Sequence, residues 1–112
     1  MKTITFDEFD QVELRSGIII HAEDFPKARK PAFKITADFG EEIGKLTTSA
    51  QVKDLYKLDD LIGKRIVGCV NLGEKNIAGF LSQFLIVGFK NEQGHVTLLS
   101  SDHSVPNGSK LC

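Results

Sequence analysis

The chain has 112 residues, a formal net charge of −1, and a composition that is 41% hydrophobic and 26% charged. This balance predicts one soluble globular domain, residues 1–112, that buries a core without disulfide bonds. It contains no apolar run of membrane-spanning length, no apolar signal core near Met1 and only two cysteines. We therefore expect neither a membrane span nor a disulfide framework, and we expect a cytoplasmic protein.

The first predicted element is a short helix that begins with a capping box. Thr5 is the expected N-cap and Glu8 the residue that reaches back to it, with the helix ending near Gln11. Phe6 and Phe9 share one face of this helix. They either join the core or, because the helix is terminal, pack on a second subunit. We predict a homodimer with these two residues in its interface.

Five strands follow, separated by turns. The clearest has alternating apolar and polar residues, as expected of an antiparallel strand with one buried side. Gly17 in the first strand predicts a bulge or a sharp bend. A helical or turn-like segment, 50–61, follows the third strand. The predicted strands are Leu14–Ala22, Ala32–Phe39, Lys45–Ser49, Arg65–Val70 and Phe84–Phe89.

This order predicts an all-β fold, a small Greek-key barrel of five strands with short helices at the N-terminus and after the third strand. The OB-fold is a partly open barrel of this kind, and it often binds oligonucleotides or oligosaccharides across one face and two loops.

The stretch 61–88 combines two apolar runs with a polar connection between them. Asn71, Lys75, Asn76 and Ser82 offer hydrogen-bond donors that suit phosphate, sugar or a peptide backbone. The stretch has no nucleophile beside a base, and the three histidines of the chain have no metal-ligand spacing. We therefore predict a protein that is not an enzyme and has no cofactor or metal.

A basic stretch without acids lies earlier in the chain, at Lys27, Arg29, Lys30 and Lys34. Such a run is usually a solvated face. It permits a polyanionic partner without requiring one, because the net charge of the whole chain is close to zero.

Several segments resemble the tRNA-binding OB domains, which occur as free-standing dimers and as appendages of some methionyl-tRNA synthetases. Val12-Glu13-Leu14-Arg15-Ser16-Gly17 is similar to their opening motif, and 106–110 to their closing Pro-x-Gly turn. The segments 28–32, 38–40 and 49–51 resemble the CsaA branch of this family. The resemblance covers almost the whole chain.

The resemblance implies an OB-fold dimer that binds tRNA, or that holds unfolded or export-bound polypeptides as a chaperone and works with the export machinery. The chain departs from the tRNA-binding branch at Pro31, where that branch has a lysine, and at Phe84-Leu85, where it has Gly-Met. These departures favour a polypeptide ligand and leave open a secretion chaperone that binds peptides and no RNA.

We predict a binding groove for RNA or peptide, supported by the resemblance. Two alternatives are structural: Asn71 capping a strand, and Ser82 satisfying loop backbone. Phe80 and Phe84 would stack on a base or belong to the core, Cys69 would be buried and Cys112 exposed. The predicted groove consists of Asn71, Lys75 and Ser82 on one rim, Lys45, Ser49 and Gln51 on the other, and Arg29 and Lys30 at the edge.

Overall fold

The computed structural model describes residues 1–112, and strands dominate it. The three helices have at most five residues, and none has the length and apolar character that a membrane crossing needs. The elements are α1 Phe6–Asp10, β1 Leu14–Asp24, β2 Phe33–Asp38, α2 Gly40–Ile43, β3 Lys45–Ala50, α3 Leu58–Leu61, β4 Arg65–Cys69, β5 Lys75–Ile77, β6 Phe80–Ser82, β7 Leu85–Ile86, β8 Gly88–Lys90 and β9 Val96–Leu98.

A five-stranded antiparallel sheet in the order β3-β2-β1-β4-β7 forms the barrel. Hydrogen bonds join the two edges of this sheet, β3 and the residues just before β7. The Gln83 amide donates to the Thr47 carbonyl at 2.7 Å, and the Thr48 hydroxyl donates to the Phe84 carbonyl at 2.7 Å. The barrel is therefore nearly closed, and the predicted all-β, OB-type fold is confirmed.

The core fills the barrel with side chains from every wall. Ile19, Ile35 and Ile66 are fully buried, and β2 alternates buried and half-buried residues as its pattern predicts. Leu61 of α3 is also fully buried, so the short helix after the third strand packs into the core as expected. At the other side of the core, the rings of Phe39 and Phe84 meet edge to face, 4.9 Å apart.

Gly17 does not form the predicted bulge. It pairs regularly with Ile66, and the register shift of β1 lies between Ile19 and His21. Gly17 is instead a site of close approach, since a Cβ there would lie 2.8 Å from the Phe39 ring. The missing side chain makes room for an aromatic ring.

The predicted fifth strand, Phe84–Phe89, is divided in two. Val87 donates to the Val67 carbonyl at 3.0 Å and accepts from the Leu99 amide at 3.0 Å, so the chain leaves the barrel at this residue. Beyond it, β8 pairs with β9 in a hairpin that the turn at Asn91–Gly94 closes.

Other boundaries differ by a few residues. The first strand extends to Asp24, and the polar connection after β4 is a β-hairpin rather than a loop. Ala78 and Gly79 turn this hairpin, both with positive φ. The capping box of α1 is confirmed, since the Thr5 hydroxyl accepts from the Glu8 amide at 3.1 Å.

The start of β1 binds the C-terminal turn. The Ser16 amide donates to the Ser109 carbonyl at 2.9 Å, and the Ser16 hydroxyl to the Pro106 carbonyl at 2.8 Å. The Arg15 guanidinium donates to the Gly108 carbonyl at 2.8 Å. The two ends of the chain, which carry the resembling motifs, thus bind each other.

An ion-pair group reinforces this contact. The Glu13 carboxylate lies 2.6 Å from Arg15 Nη2 and 2.8 Å from Lys110 Nζ. Hydrogen bonds from Lys110 and then Arg15 lower the pKa of Glu13 below its ordinary 4.5. The hydrogen bond to Glu13, followed by the one to Asp10, raises the pKa of Lys110 above 10.5.

Candidate nucleic-acid interface

The β5–β6 hairpin is fastened to the free edge of β3. Thr47 makes the central contacts: its amide donates to Gln83 Oε1 at 3.0 Å, and its hydroxyl to the Leu81 carbonyl at 2.7 Å. Because the hairpin is bound at its second strand, its exposed side chains hold a fixed place beside β2 and β3. This arrangement makes one continuous surface from three separated segments.

Three of the predicted site residues meet on this surface. Ser82 Oγ lies 3.4 Å from the Ser49 amide and 2.9 Å from the Thr48 hydroxyl. Lys75 is the cross-strand partner of Ser82 in the hairpin and is exposed. Ser82 therefore binds groups of strand β3 rather than the loop backbone of the structural alternative. Lys75 forms no ion pair.

Lys45 and Gln51 mark the two ends of β3. Lys45 begins the strand and Gln51 directly follows it, and both are exposed. At the usual rise of a strand, their Cα atoms are about 20 Å apart. They cannot share one small ligand group, but an extended polymer can reach both.

The Asn71 side chain binds the connection between α1 and β1. Its Oδ1 accepts from the Glu13 amide at 3.0 Å, and its Nδ2 donates to the Gln11 carbonyl at 2.7 Å. Both ends of the amide are thereby occupied by backbone groups. We therefore assign Asn71 to holding the N-terminal segment and leave it out of the proposed interface.

Arg29 and Lys30 lie in the connection between β1 and β2, where both are exposed. Neither forms an ion pair. The same connection supplies Phe25, Pro26 and Lys27 to a pocket that it shares with the β5–β6 turn. The place of Arg29 and Lys30 at the edge of the surface stays a prediction.

Lys34 is the functional candidate that the sequence reasoning missed. Its ammonium lies 4.9 Å from the centroid of the Phe25 ring and 5.1 Å from that of Phe80. The two rings meet edge to face at 5.5 Å. They line a pocket of about 250 Å³ together with Pro26, Lys27, Lys34, Ala78 and Gly79.

A sequence signal for Lys34 did exist. It is one of the outward-facing residues of β2, and it is the last cation of the basic stretch. Its two aromatic neighbours come from distant elements, so their convergence required the fold.

Most cations of this surface form no direct ion pair with an acid. A nearby exception is Lys53, which binds the Asp24 carboxylate and thereby lowers the pKa of Asp24 below its ordinary 3.8. Six cations of the surface and its edge form no ion pair within 4.0 Å: Lys27, Arg29, Lys30, Lys34, Lys45 and Lys75.

Other candidate chemistries have less support in the geometry. No three His, Cys, Asp or Glu side chains form a group that could hold a metal ion. Cys69 is buried and Cys112 exposed, as predicted, and both are free thiols. Phe84 belongs to the core, where it cannot stack on a ligand, whereas Phe80 is half-buried at the pocket.

A family model described as "Putative tRNA binding domain" matches residues 14–110. The chain belongs to this tRNA-binding domain family. The match begins and ends at two segments that bind each other, through the bridge between Arg15 and Lys110 and the Leu111 amide that donates to the Leu14 carbonyl at 2.8 Å. The motifs of the family therefore coincide here with a structural contact.

Solved structures of the family are similar along the whole chain. Chaperone CsaA from Bacillus anthracis strain Ames is 41% identical, with a TM-score of 0.91. The superposition covers 99% of this chain and 100% of the CsaA chain. The CsaA chaperone protein from Picrophilus torridus is also 41% identical, with a TM-score of 0.90, and 98% of this chain covers 100% of it.

The curated relatives are longer. The methionine–tRNA ligase of Methanocaldococcus jannaschii is 32% identical over 111 residues, which are 99% of this chain and 17% of the ligase. The chain thus spans about a sixth of that relative, and the similarity extends to this domain alone.

Proposed function

We propose that this chain binds tRNA without catalysing a reaction, through the surface formed by β2, β3 and the β5–β6 hairpin. The observation that carries the proposal is the set of unpaired cations on this surface and its edge, in a chain whose net charge is only −1. Phosphates supply most of the affinity in such a complex, and they are bound by lysine and arginine whatever the base sequence.

Each element contributes a different part of the contact. Lys75 and Lys45 lie at separate points of the surface and would bind different phosphates. Ser49 and Gln51 offer polar groups to sugar or phosphate, while Arg29 and Lys30 extend the positive charge along the β1–β2 connection. The length of β3 suits a structured polyanion better than a single small anion.

A homodimer is part of the proposal. Phe6 is 75% exposed, and its ring lies 6.2 Å from that of Phe9, so α1 presents an aromatic patch to solvent. Ile4, just before the helix, is exposed too. Twofold pairing is the commonest way to cover such a patch, and it would place two cationic surfaces on one particle.

A polypeptide chaperone is the second candidate, and its partners would be export-bound precursors and the export machinery. It is favoured by the likeness to the two CsaA chaperones and by exposed apolar side chains around the hairpin, where Leu72 is 65% and Leu81 40% exposed. For either ligand we propose the cytoplasm as the site of action, since tRNA and unexported precursors are both found there.

The test compares the two ligands directly. Fluorescently labelled tRNA is titrated with the full chain, and the complex is then challenged with a reduced, carboxymethylated polypeptide. Saturable tRNA binding that the polypeptide does not displace supports the proposal. Binding of the polypeptide with no binding of tRNA would overturn it in favour of the second candidate.

A further inference from the structure

The pocket between Phe25, Lys34 and Phe80 differs from the rest of the surface because its cation is recessed. The pocket lies between the β1–β2 connection, which supplies Phe25 and Lys27, and the β5–β6 turn, which supplies Gly79 and Phe80. Phe25 is only 3% exposed and Lys34 is half-buried, whereas Lys45 and Lys75 are exposed.

The two rings fix the ammonium of Lys34 in place. A cation over an aromatic ring is attracted by the negative charge of the ring face, and here two rings act on the same ammonium from about 5 Å. Lys34 forms no ion pair, and no carboxylate lines the pocket. The hydrogen-bonding groups of the ammonium therefore remain available to an anion.

The shape of the pocket selects among RNA structures. The phosphates of a duplex lie on a stiff rod, which rests on the two flanking segments and cannot enter a recess. An unpaired nucleotide can turn its base and phosphate inward, and its base has a π-face that stacks on aromatic side chains. Space at the turn is open, because a Cβ added to Gly79 would meet no atom within 4 Å.

We propose that this pocket is a single-nucleotide subsite for unpaired RNA, in which one base packs against Phe80 and an adjoining phosphate binds the Lys34 ammonium. This inference rests on the proposed function and adds a specific structural preference to it. A nucleotide carries an aromatic face and a phosphate in adjoining positions, which are the two groups that the pocket complements. A polypeptide would need an acidic residue placed beside an apolar one.

The experiment uses a short unstructured oligoribonucleotide, the same strand annealed to its complement, and three variants of the full chain. Lys34→Met keeps the apolar stem and removes the charge, and Phe80→Leu keeps an apolar side chain and removes the ring. Lys90→Met is the matched control, because Lys90 is exposed on the β8–β9 hairpin and takes no part in the proposed interface.

We expect Lys34→Met to weaken binding of the single strand about 10-fold and to reduce the slope of log K against log salt by about 0.7. Phe80→Leu should weaken the single strand about 10-fold with no change in that slope, because stacking releases no counterions. Both variants should bind the duplex as the wild type does, and Lys90→Met should match the wild type throughout.

Equal losses for single strand and duplex would overturn the inference, since Lys34 would then be an ordinary surface phosphate contact. Unchanged single-strand affinity in both variants would overturn it as well, while tRNA binding by the wild type would leave the proposed function standing. If the wild type binds no RNA, both proposals fail. Loss of binding to the carboxymethylated polypeptide alone would assign the pocket to peptides.

A measurement on the wild type covers the case in which Lys34→Met does not fold. Lysine acetylation is followed by mass spectrometry with and without the single-stranded oligonucleotide. The oligonucleotide should protect Lys34 and leave Lys90 equally reactive, and the duplex should not protect Lys34. Equal acetylation of Lys34 with and without the single strand would contradict the subsite.

Discussion

At the residue scale, the availability of each lysine depends on the acid beside it. Lys53 and Lys110 form ion pairs with carboxylates, so their charges are compensated within the protein. Lys45 and Lys75 have no such partner, and both are exposed. The affinity for a polyanion should therefore depend far more on Lys45 and Lys75 than on the ion-paired Lys53 and Lys110.

Lys75→Ala tests this distinction. We expect weaker tRNA binding by about the same factor for different tRNA sequences, and a salt slope reduced by about one, because one phosphate contact and its released counterion are lost. Titrations of several tRNAs over a range of salt concentrations measure both quantities. Lys90→Ala is the control, and an unchanged slope in Lys75→Ala would remove Lys75 from the interface.

Asn71→Ala should show the opposite pattern. The change leaves the Glu13 amide and the Gln11 carbonyl without their partner, and we expect the free energy of unfolding to fall by about 1 kcal/mol. The affinity for tRNA should stay as in the wild type. Urea unfolding measures the stability and tRNA titration the affinity. A loss of affinity without a loss of stability would show that Asn71 contacts the ligand.

At the element scale, the contact between the start of β1 and the C-terminal turn should depend on pH. The pKa of Glu13 is lowered in the folded protein, so its contribution is present above pH 4.5 and is lost as the pH falls through the folded value. The pKa of Lys110 is raised, so its contribution is present below pH 10.5 and is lost as the pH rises through the folded value.

Glu13→Gln should therefore reduce the acid sensitivity of folding. Thermal unfolding midpoints at pH 6 and pH 3 are compared between this variant and the wild type. We expect the midpoint of the wild type to fall further. Only the wild type has a carboxylate at position 13, and its protonation at low pH removes the interactions with Lys110 and Arg15. Equal falls in the two proteins would show that this ion-pair group does not contribute to the pH dependence.

The packing of strands β1 and β4 against Phe39 gives a second prediction at this scale. A Cβ at Gly68 would lie 2.7 Å from the Phe39 ring and 2.8 Å from that of Phe84, both of them buried. Gly68→Ala should destabilise the protein by about 1–3 kcal/mol. Urea unfolding measures this, with the exposed Ser104→Ala as control, and equal stability of the two variants would contradict the packing argument.

The sequence predicted those elements whose signals are local. The alternation along β2 and the capping box at Thr5 both depend on neighbouring residues, and both are confirmed. The division of the last predicted strand was missed, because Val87 changes partners through contacts with Val67 and Leu99, which the run of apolar residues does not reveal.

The same limit applies to the candidate site. The basic stretch was visible in the sequence, and the polar residues of the β5–β6 segment were too. The aromatic pocket was not, since Phe25 comes from the β1–β2 connection and Phe80 reaches Lys34 only when the hairpin is bound to β3. Gln83, which makes that attachment, has no distinguishing pattern of its own.

At the scale of the whole molecule, we expect a homodimer held by α1. Sedimentation equilibrium should give twice the chain mass of 12.4 kDa. Phe6→Ser should shift the protein toward the single-chain mass, because the exposed ring would no longer be available to the second subunit. Phe89→Ser, which removes another exposed ring outside α1, is the matched control. A wild-type protein that sediments as one chain at micromolar concentration would contradict this proposal.

Charge is distributed unevenly over the molecule, and this unevenness rather than the net charge supports tRNA binding. The most direct test is the dependence of tRNA affinity on salt concentration. With about four to six phosphates neutralised, the slope of log K against log salt should lie between about −3 and −5. A slope near zero, or no measurable affinity at low salt, would contradict binding through the cations of this surface.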